Sequence, residues 1–182
     1  PTLAKELQGS VRDYDLMFEA LQAVSPVPIE FKAMKAGKDG YYHLKDKKIA
    51  IRQGMSEIQT MATAIHEISH AKLHDRDPQP RDSIGKGKDQ RTQEVEAESI
   101  AYAVCQYYGI ETADNSFGYL AGWSSDKDLT ELKASLQTIR DTASDLISSI
   151  DGKIQSLKQQ LEVEAPKTRT EAVKAIKGKV AA

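Results

Sequence analysis

The sequence has little of several features that mark particular protein classes. Its 182 residues contain a single cysteine, Cys105, so no internal disulfide can form, and aromatic residues make up only 6%. The longest run of apolar residues covers positions 100–105, whereas a membrane-spanning helix needs about 20 residues. Because 25 basic residues stand against 27 acidic ones, the net charge of −2 provides no overall attraction to nucleic acid or anionic membranes. We therefore expect a modest core, no membrane contact and a reducing location, with the cytoplasm as the default.

The N-terminus lacks the marks of a natural start. The chain begins at Pro1 instead of methionine, and residues 1–6 carry neither the basic nor the apolar region of a signal peptide. We expect an excised module of a longer protein. A single domain is predicted over residues 1–165, with a compact core at about 24–123 and a long helix at about 126–164. Residues 166–182 are basic and alanine-rich, and we expect them to form a disordered tail.

Hydrophobic spacing predicts an α+β protein that is mainly helical. Apolar residues at helical intervals predict a helix over 3–24, and three short extended segments at 29–34, 40–44 and 48–52 predict a small antiparallel sheet of about three strands. Ser56 and Gln59 form a capping box that predicts a helix beside this sheet. A polar loop over 75–91 leads to a helix over 90–108, which Gly109 ends. A connector over 113–125 and the long C-terminal helix complete the prediction.

One five-residue stretch carries the clearest chemistry. His66-Glu67-Ile68-Ser69-His70 has the spacing H-E-x-x-H and lies within the helix predicted from residue 56. Residues i and i+4 of a helix share a face, so His66 and His70 can bind one cation while Glu67 projects beside them. Imidazole suits Zn²⁺, which lowers the pKa of bound water to about 7, and a neighbouring carboxylate can then take the proton. This stretch therefore predicts a zinc site, with Glu67 as the catalytic base.

A catalytic zinc ion needs a third protein ligand. His74 follows His70 by four residues, whereas the metzincin pattern places its third histidine six residues on, where this chain has Arg76. We therefore expect His74 to cap the helix end or to support a ligand, and we keep direct ligation by His74 as the weaker alternative.

The next predicted helix offers carboxylates for the third position. One stripe of this helix carries Glu94, Glu98, Ala101, Cys105 and Tyr108. Carboxylates that face a core need a partner or a metal, so we assign Glu94 as the third ligand and Glu98 as the carboxylate that orients a ligating histidine. The reverse assignment of Glu94 and Glu98 stays open. Glu96 lies about 200° around the helix from Glu94, and we expect it to face solvent.

The sequences of these two predicted helices resemble those of known metallopeptidases. HEISHAKLH at 66–74 and EVEAESIA at 94–101 resemble the patterns H-E-x-x-H-x-x-L-H and E-x-E-A-N-x-F-A of ImmA/IrrE metallopeptidases, with Glu98 in place of the asparagine. Ala97-Glu98, Cys105 and YLAGW at 119–123 also resemble the metallopeptidase domain of ArdC antirestriction proteins and of LtrC-like proteins of conjugative elements. The resemblance covers residues 40–150. It implies a gluzincin-like fold and carriage on a mobile element.

Motif and resemblance together predict a zinc-dependent metallopeptidase that cleaves a protein or peptide substrate through a zinc-bound water activated by Glu67. Tyr119 and His43 are both candidates for stabilising the oxyanion, although each also suits an ordinary structural position. The alternative is a zinc-stabilised module that binds DNA or a partner in conjugative transfer or antirestriction without proteolysis, through the basic tail or residues 81–91. The near-heptad seam over residues 129–161 would also suit a homodimer, but packing within the chain is slightly favoured.

Overall fold

The computed structural model describes residues 9–75, 90–112, 124 and 127–180, and from residue 163 onward it describes the backbone alone. Most of the loop predicted over 75–91 and of the connector predicted over 113–125 lies outside these residues. The elements in chain order are α1 (Tyr14–Val24), β1 (Ile29–Lys32), β2 (Gly40–His43), β3 (Lys48–Arg52), α2 (Glu57–Leu73), α3 (Gln90–Tyr107) and α4 (Leu129–Val180). The predicted α+β class with a long C-terminal helix is confirmed.

The first helix is shorter than its apolar spacing predicts, because residues 9–13 are not helical. Asp13 has a left-handed backbone with φ of 54°, and Gly9 has φ of +133°, so neither continues a right-handed helix. The backbone N–H of Val11 donates to Oε2 of Glu57 at 2.6 Å. This contact ties the segment to the start of α2 and replaces the helical hydrogen bonds that the sequence pattern suggests.

The sheet is mixed, so the prediction of a purely antiparallel sheet is wrong. The strand order is β1-β3-β2, with β1 parallel to β3 and β2 antiparallel to β3. The prediction assumes that strands adjacent in sequence also pair. In the structure the most apolar strand takes the central position, since Ile49, Ala50 and Ile51 are fully buried while β1 and β2 keep partial exposure. Two strands that run the same way, β1 and β3, are therefore neighbours.

Helix α2 begins as the capping box predicts. The Ser56 hydroxyl accepts the N–H of Gln59 at 3.1 Å, which satisfies one of the free donors at the helix start. The buried apolar face of α2, formed by Met61, Ile65 and Ile68, packs in the core between the sheet and the other helices. At β2 the approach is closest, because a Cβ on Gly40 would lie 2.6 Å from Cγ2 of Thr63. The absence of a side chain at position 40 thus lets β2 lie against α2.

Helices α3 and α4 complete the core, with α3 packed against α2 and α4 packed against α3 and α1. Buried residues of α3 pack into the same cluster as Leu146 and Ile150 of α4. At the start of α4 the Asp128 carboxylate accepts the N–H groups of Thr130 and Glu131, both at 2.8 Å. None of the helices that the structure describes is long and apolar enough to cross a membrane.

The backbone of α4 continues to Val180, whereas the sequence predicts a disordered tail from residue 166. The prediction depends on the basic charge and the weak hydrophobic pattern of residues 166–182. The alanine, lysine and glutamate residues of this segment are strong helix formers, which favours continuation of the helix. The grouping of residues 1–165 into one domain stays a prediction.

Candidate metal centre

Helix α2 places two imidazoles side by side. His66 and His70 are one helical turn apart, and their Nε2 atoms lie 3.1 Å from each other. The rings are inclined at 71° with centroids 4.8 Å apart. Both side chains are largely buried, with 19% and 14% of their surface exposed. Two nitrogen atoms therefore converge on one point at the edge of the core.

Glu94 reaches this point from α3. Its Oε2 lies 3.5 Å from Nε2 of His66, and its Oε1 lies 3.5 Å from Nε2 of His70. One ligand atom from each of these three residues lies within 4.8 Å of the other two. Two imidazole nitrogens and a carboxylate oxygen are the donor set of a catalytic zinc site, so the residues present fit this metal.

Contacts among His66, His70 and Glu94 shift the pKa values of His66 and Glu94 in directions that favour their charged forms. Hydrogen bonds from His66, and then from His70, hold the pKa of Glu94 well below its ordinary value. Burial lowers the pKa of His66, but hydrogen bonds to Glu94 and Glu98 outweigh burial and raise the pKa to about 10. Without metal, a proton on His66 therefore balances the carboxylates in the site.

Glu98 lies on the far side of His66 from the cluster of ligand atoms. Its Oε2 is 3.3 Å from Nδ1 of His66, while Nε2 of the same ring faces Glu94 and His70. A carboxylate in this position accepts the Nδ1 proton and leaves the Nε2 lone pair for a metal. Glu94, not Glu98, faces both histidine Nε2 atoms, and the orienting role of Glu98 stays a prediction.

Glu67 is 8% exposed and lies against the sheet. Burial raises the pKa of its carboxyl, while the charges of His66 and His70 and the backbone N–H of Tyr42 act in the opposite direction. A Cβ on Gly40 would lie 3.3 Å from Cγ of Glu67, so strand β2 bounds this side chain closely. The carboxyl is thus held beside the two histidines, with a proton affinity above that of an exposed glutamate.

His74 and Glu96 form a contact that sequence reasoning missed. The prediction that Glu96 faces solvent is wrong, because the residue is fully buried and its Oε2 lies 3.3 Å from Nε2 of His74. Its carboxylate contacts His74 at the C-terminal end of α2, so Glu96 is buried against the same helix that Glu94 faces. His74, a third histidine at the i+4 spacing, is the sequence signal that a further acidic partner lies on α3.

The residues predicted to stabilise the oxyanion or to contact DNA lie at different positions in the chain. His43, at the end of β2, accepts the backbone N–H of Asp46 at Nδ1 at 3.2 Å, and its side chain is 44% exposed. Tyr119 lies outside the described residues, as do residues 81–89 of the loop proposed to contact DNA.

This geometry agrees with what comparison with known proteins finds. Residues 25–112 match the family model Peptidase_M78, described as the IrrE N-terminal-like domain. The resemblance to ImmA/IrrE metallopeptidases is thereby confirmed. The matched segment contains the whole sheet, α2, α3 and every residue assigned to the site, while α1 and α4 flank it.

Two further proteins are similar over larger or different spans. An uncharacterised protein of Bacillus anthracis is 34% identical over 116 residues, which are 63% of this chain but 19% of that protein. The Mn(II)-bound crystal structure of the antirestriction protein ArdC from the R388 plasmid is 21% identical, with a TM-score of 0.46. That similarity covers 84% of this chain and 54% of the ArdC chain, so the chain spans only part of both proteins.

Proposed function

We propose that this chain is a metal-dependent peptidase module that hydrolyses a protein or peptide substrate, with Zn²⁺ as its metal. The observation that carries the proposal is the convergence of His66, His70 and Glu94 within 4.8 Å, inside the segment that matches the IrrE N-terminal-like domain. An antirestriction or mobile-element setting is part of this proposal, as the sequence resemblance to ArdC-like domains implies.

Each residue of the proposed site has a separate role. His66, His70 and Glu94 hold the metal, and Glu98 fixes the ring of His66. A bound Zn²⁺ polarises a water molecule and the scissile carbonyl. Glu67 accepts a proton from the attacking water and delivers it to the leaving amine, for which a pKa raised by burial is favourable. The backbone N–H of Tyr42 and the wall formed by Gly40 keep the Glu67 carboxyl in place during both transfers.

The experiment that tests this function compares Glu67→Gln with the wild type. The zinc-loaded wild type is incubated with a proteome-derived peptide library, and new peptide ends are counted by mass spectrometry. We expect Glu67→Gln to retain one zinc ion per chain but to lose cleavage by about 10²–10⁴-fold, the contribution of general acid–base catalysis. Glu131→Gln, on the first turn of α4, is the matched control and should cleave as the wild type does. Mn²⁺, the ion of the ArdC structure, is tested alongside Zn²⁺.

Cleavage that persists in Glu67→Gln would refute the assignment of the base. The alternative, in which metal only stabilises a module that binds DNA, predicts no cleavage by any variant and a DNA affinity that falls steeply with salt. The near-zero net charge of the chain favours the peptidase over that alternative.

A further inference from the structure

A chain of buried polar groups leads away from the metal centre on the side opposite Glu98. Nδ1 of His70 lies 3.0 Å from Nδ1 of His74, and Nε2 of His74 lies 3.3 Å from Oε2 of Glu96. The side chain of His74 is 6% exposed, and that of Glu96 is completely buried. Buried groups of this kind are costly unless each finds a hydrogen-bond partner. The contacts satisfy the ring nitrogens of His74 on both sides.

With Glu96 ionised and both rings neutral, the end group fixes the direction of each hydrogen bond in the chain. A carboxylate only accepts, so Nε2 of His74 must donate to Glu96. A neutral imidazole that donates through one nitrogen accepts through the other, so Nδ1 of His74 accepts the proton of His70 Nδ1. Nε2 of His70 is then left with its lone pair, and this atom faces His66 and Glu94.

We propose that Glu96 and His74 are positioning residues, which fix the ring orientation and the tautomer of His70 so that Nε2 is presented to the metal. This inference rests on the metal site of the proposed function. It explains why a carboxylate is tolerated in the core at position 96 and why a third histidine follows the H-E-x-x-H stretch. It also assigns His74 a role without making it a ligand.

The two ligating histidines are supported by different means. His66 meets a carboxylate directly, through Glu98 at 3.3 Å, whereas His70 reaches one only through the ring of His74. Both carboxylates come from α3, two positions apart. His70 lies nearer the C-terminal end of α2, where the cap residue His74 fills the space between it and Glu96. Because His70 lies near the end of α2, its contact with a carboxylate passes through His74, whereas the contact of His66 is direct.

The test measures zinc affinity by competition with a chromophoric chelator, in four variants of the full chain. His74→Leu removes both hydrogen bonds, and we expect it to weaken zinc binding by about 10–100-fold. His74→Gln retains an acceptor and a donor, and its loss should stay below about tenfold. The double variant His74→Leu/Glu96→Leu should bind no more weakly than His74→Leu alone, because the two residues act as one unit. His43→Gln, a histidine outside the cluster, is the matched control and should leave the affinity unchanged.

A second measurement reports the tautomer and the ligating nitrogen of His70 directly, and it does not require the His74→Leu variant to fold. Nitrogen-15 spectra of the zinc-loaded wild type should show His70 bound through Nε2 and protonated at Nδ1. The isosteric variant Glu96→Gln can turn either its oxygen or its amide to His74, so it should weaken zinc binding and broaden the His70 Nδ1–H signal.

The outcomes separate this inference from the function on which it rests. A wild type that binds no zinc would remove the metal site and the inference together. Tight zinc binding that is equal in the wild type, His74→Leu and Glu96→Gln would leave the metal site intact and overturn the positioning role. An equal loss in His74→Gln and His74→Leu, with unchanged thermal stability, would also overturn it, because the hydrogen bonds would then not be the cause.

Discussion

Oε2 of Glu98 lies 3.3 Å from Nδ1 of His66, on the side of the ring that faces away from the other candidate ligands. Glu94, one turn earlier on the same helix, faces Nε2 of both His66 and His70 at 3.5 Å. The two glutamates are therefore unequal toward a metal, although the sequence places them on the same stripe of α3.

Removing each of these carboxylates should have a different effect on metal content. Glu94→Ala deletes a ligand, and we expect the purified protein to lose its zinc. Glu98→Ala deletes only the partner of His66 Nδ1, so the affinity should fall by about 10–100-fold while the stoichiometry at saturating zinc stays at one. Metal analysis and chelator competition measure both. Loss of saturable binding in Glu98→Ala, with retention in Glu94→Ala, would reverse the assignment.

Gly40 should be intolerant of even a methyl group. An added Cβ would lie 2.6 Å from Cγ2 of Thr63 and 3.1 Å from the backbone oxygen of Ala50. We expect Gly40→Ala to destabilise the protein by about 1–3 kcal/mol, the usual range for overpacking, and to reduce cleavage because Glu67 is displaced.

Gly152→Ala is the matched control for Gly40→Ala. Gly152 lies in α4 with no atom within 4 Å of an added Cβ, so alanine should stabilise its helix by about 0.5–1 kcal/mol. Urea denaturation of the two variants gives both free energies. Equal stabilities would show that β2 does not lie against α2 as described.

Two neighbouring tyrosines at the end of α3 should differ in their contribution to stability. Tyr108 donates to Oδ1 of Asp151 at 2.9 Å and lies 3.3 Å from the backbone oxygen of Ile147, whereas the more exposed Tyr107 donates only to Oδ2 of Asp151. We expect Tyr108→Phe to lower the free energy of unfolding by about 1–2 kcal/mol and Tyr107→Phe to lower it by less. A larger effect at Tyr107 would contradict the described packing of α3 on α4.

Cys105 should be unreactive in the folded protein. Burial, together with the charge of Glu98, raises the pKa of its thiol to about 12. Because the thiolate is the reactive form, alkylation by iodoacetamide at pH 8 should be slower than that of an exposed thiol by a factor of about 10³ or more. The rate should rise to that of a free cysteine in denaturant. Fast modification of the native protein would show that α3 opens readily.

The parts of the fold that follow from local sequence signals are predicted well. The bounds of β3, the Ser56 cap and the end of α3 at Gly109 each depend on residues within one turn or strand. His66 and His70 are predicted as neighbours for the same reason, since helical geometry alone brings them together.

The errors concern contacts between residues distant in sequence. Which strand pairs with β3 depends on burial of its apolar residues from both sides, and the burial of Glu96 depends on its contact with His74, 22 residues earlier in the chain. The start of α1 is set by a hydrogen bond from Val11 to Glu57, 46 residues away. Hydrophobic spacing within a segment carries no information about these partners.

Three glutamates at alternate positions of α3, namely Glu94, Glu96 and Glu98, meet three histidines spaced one turn apart on α2. In the proposed metal site, α3 would thus supply one ligand and both supporting carboxylates, so a small rotation or slide of α3 along α2 would weaken all of these contacts at once. Metal affinity should therefore depend on how well these two helices pack, and metal binding should in turn stabilise their packing. A chelator would then loosen the interior of the molecule, because the proposed ion would join α2 to α3 through groups that also belong to the core.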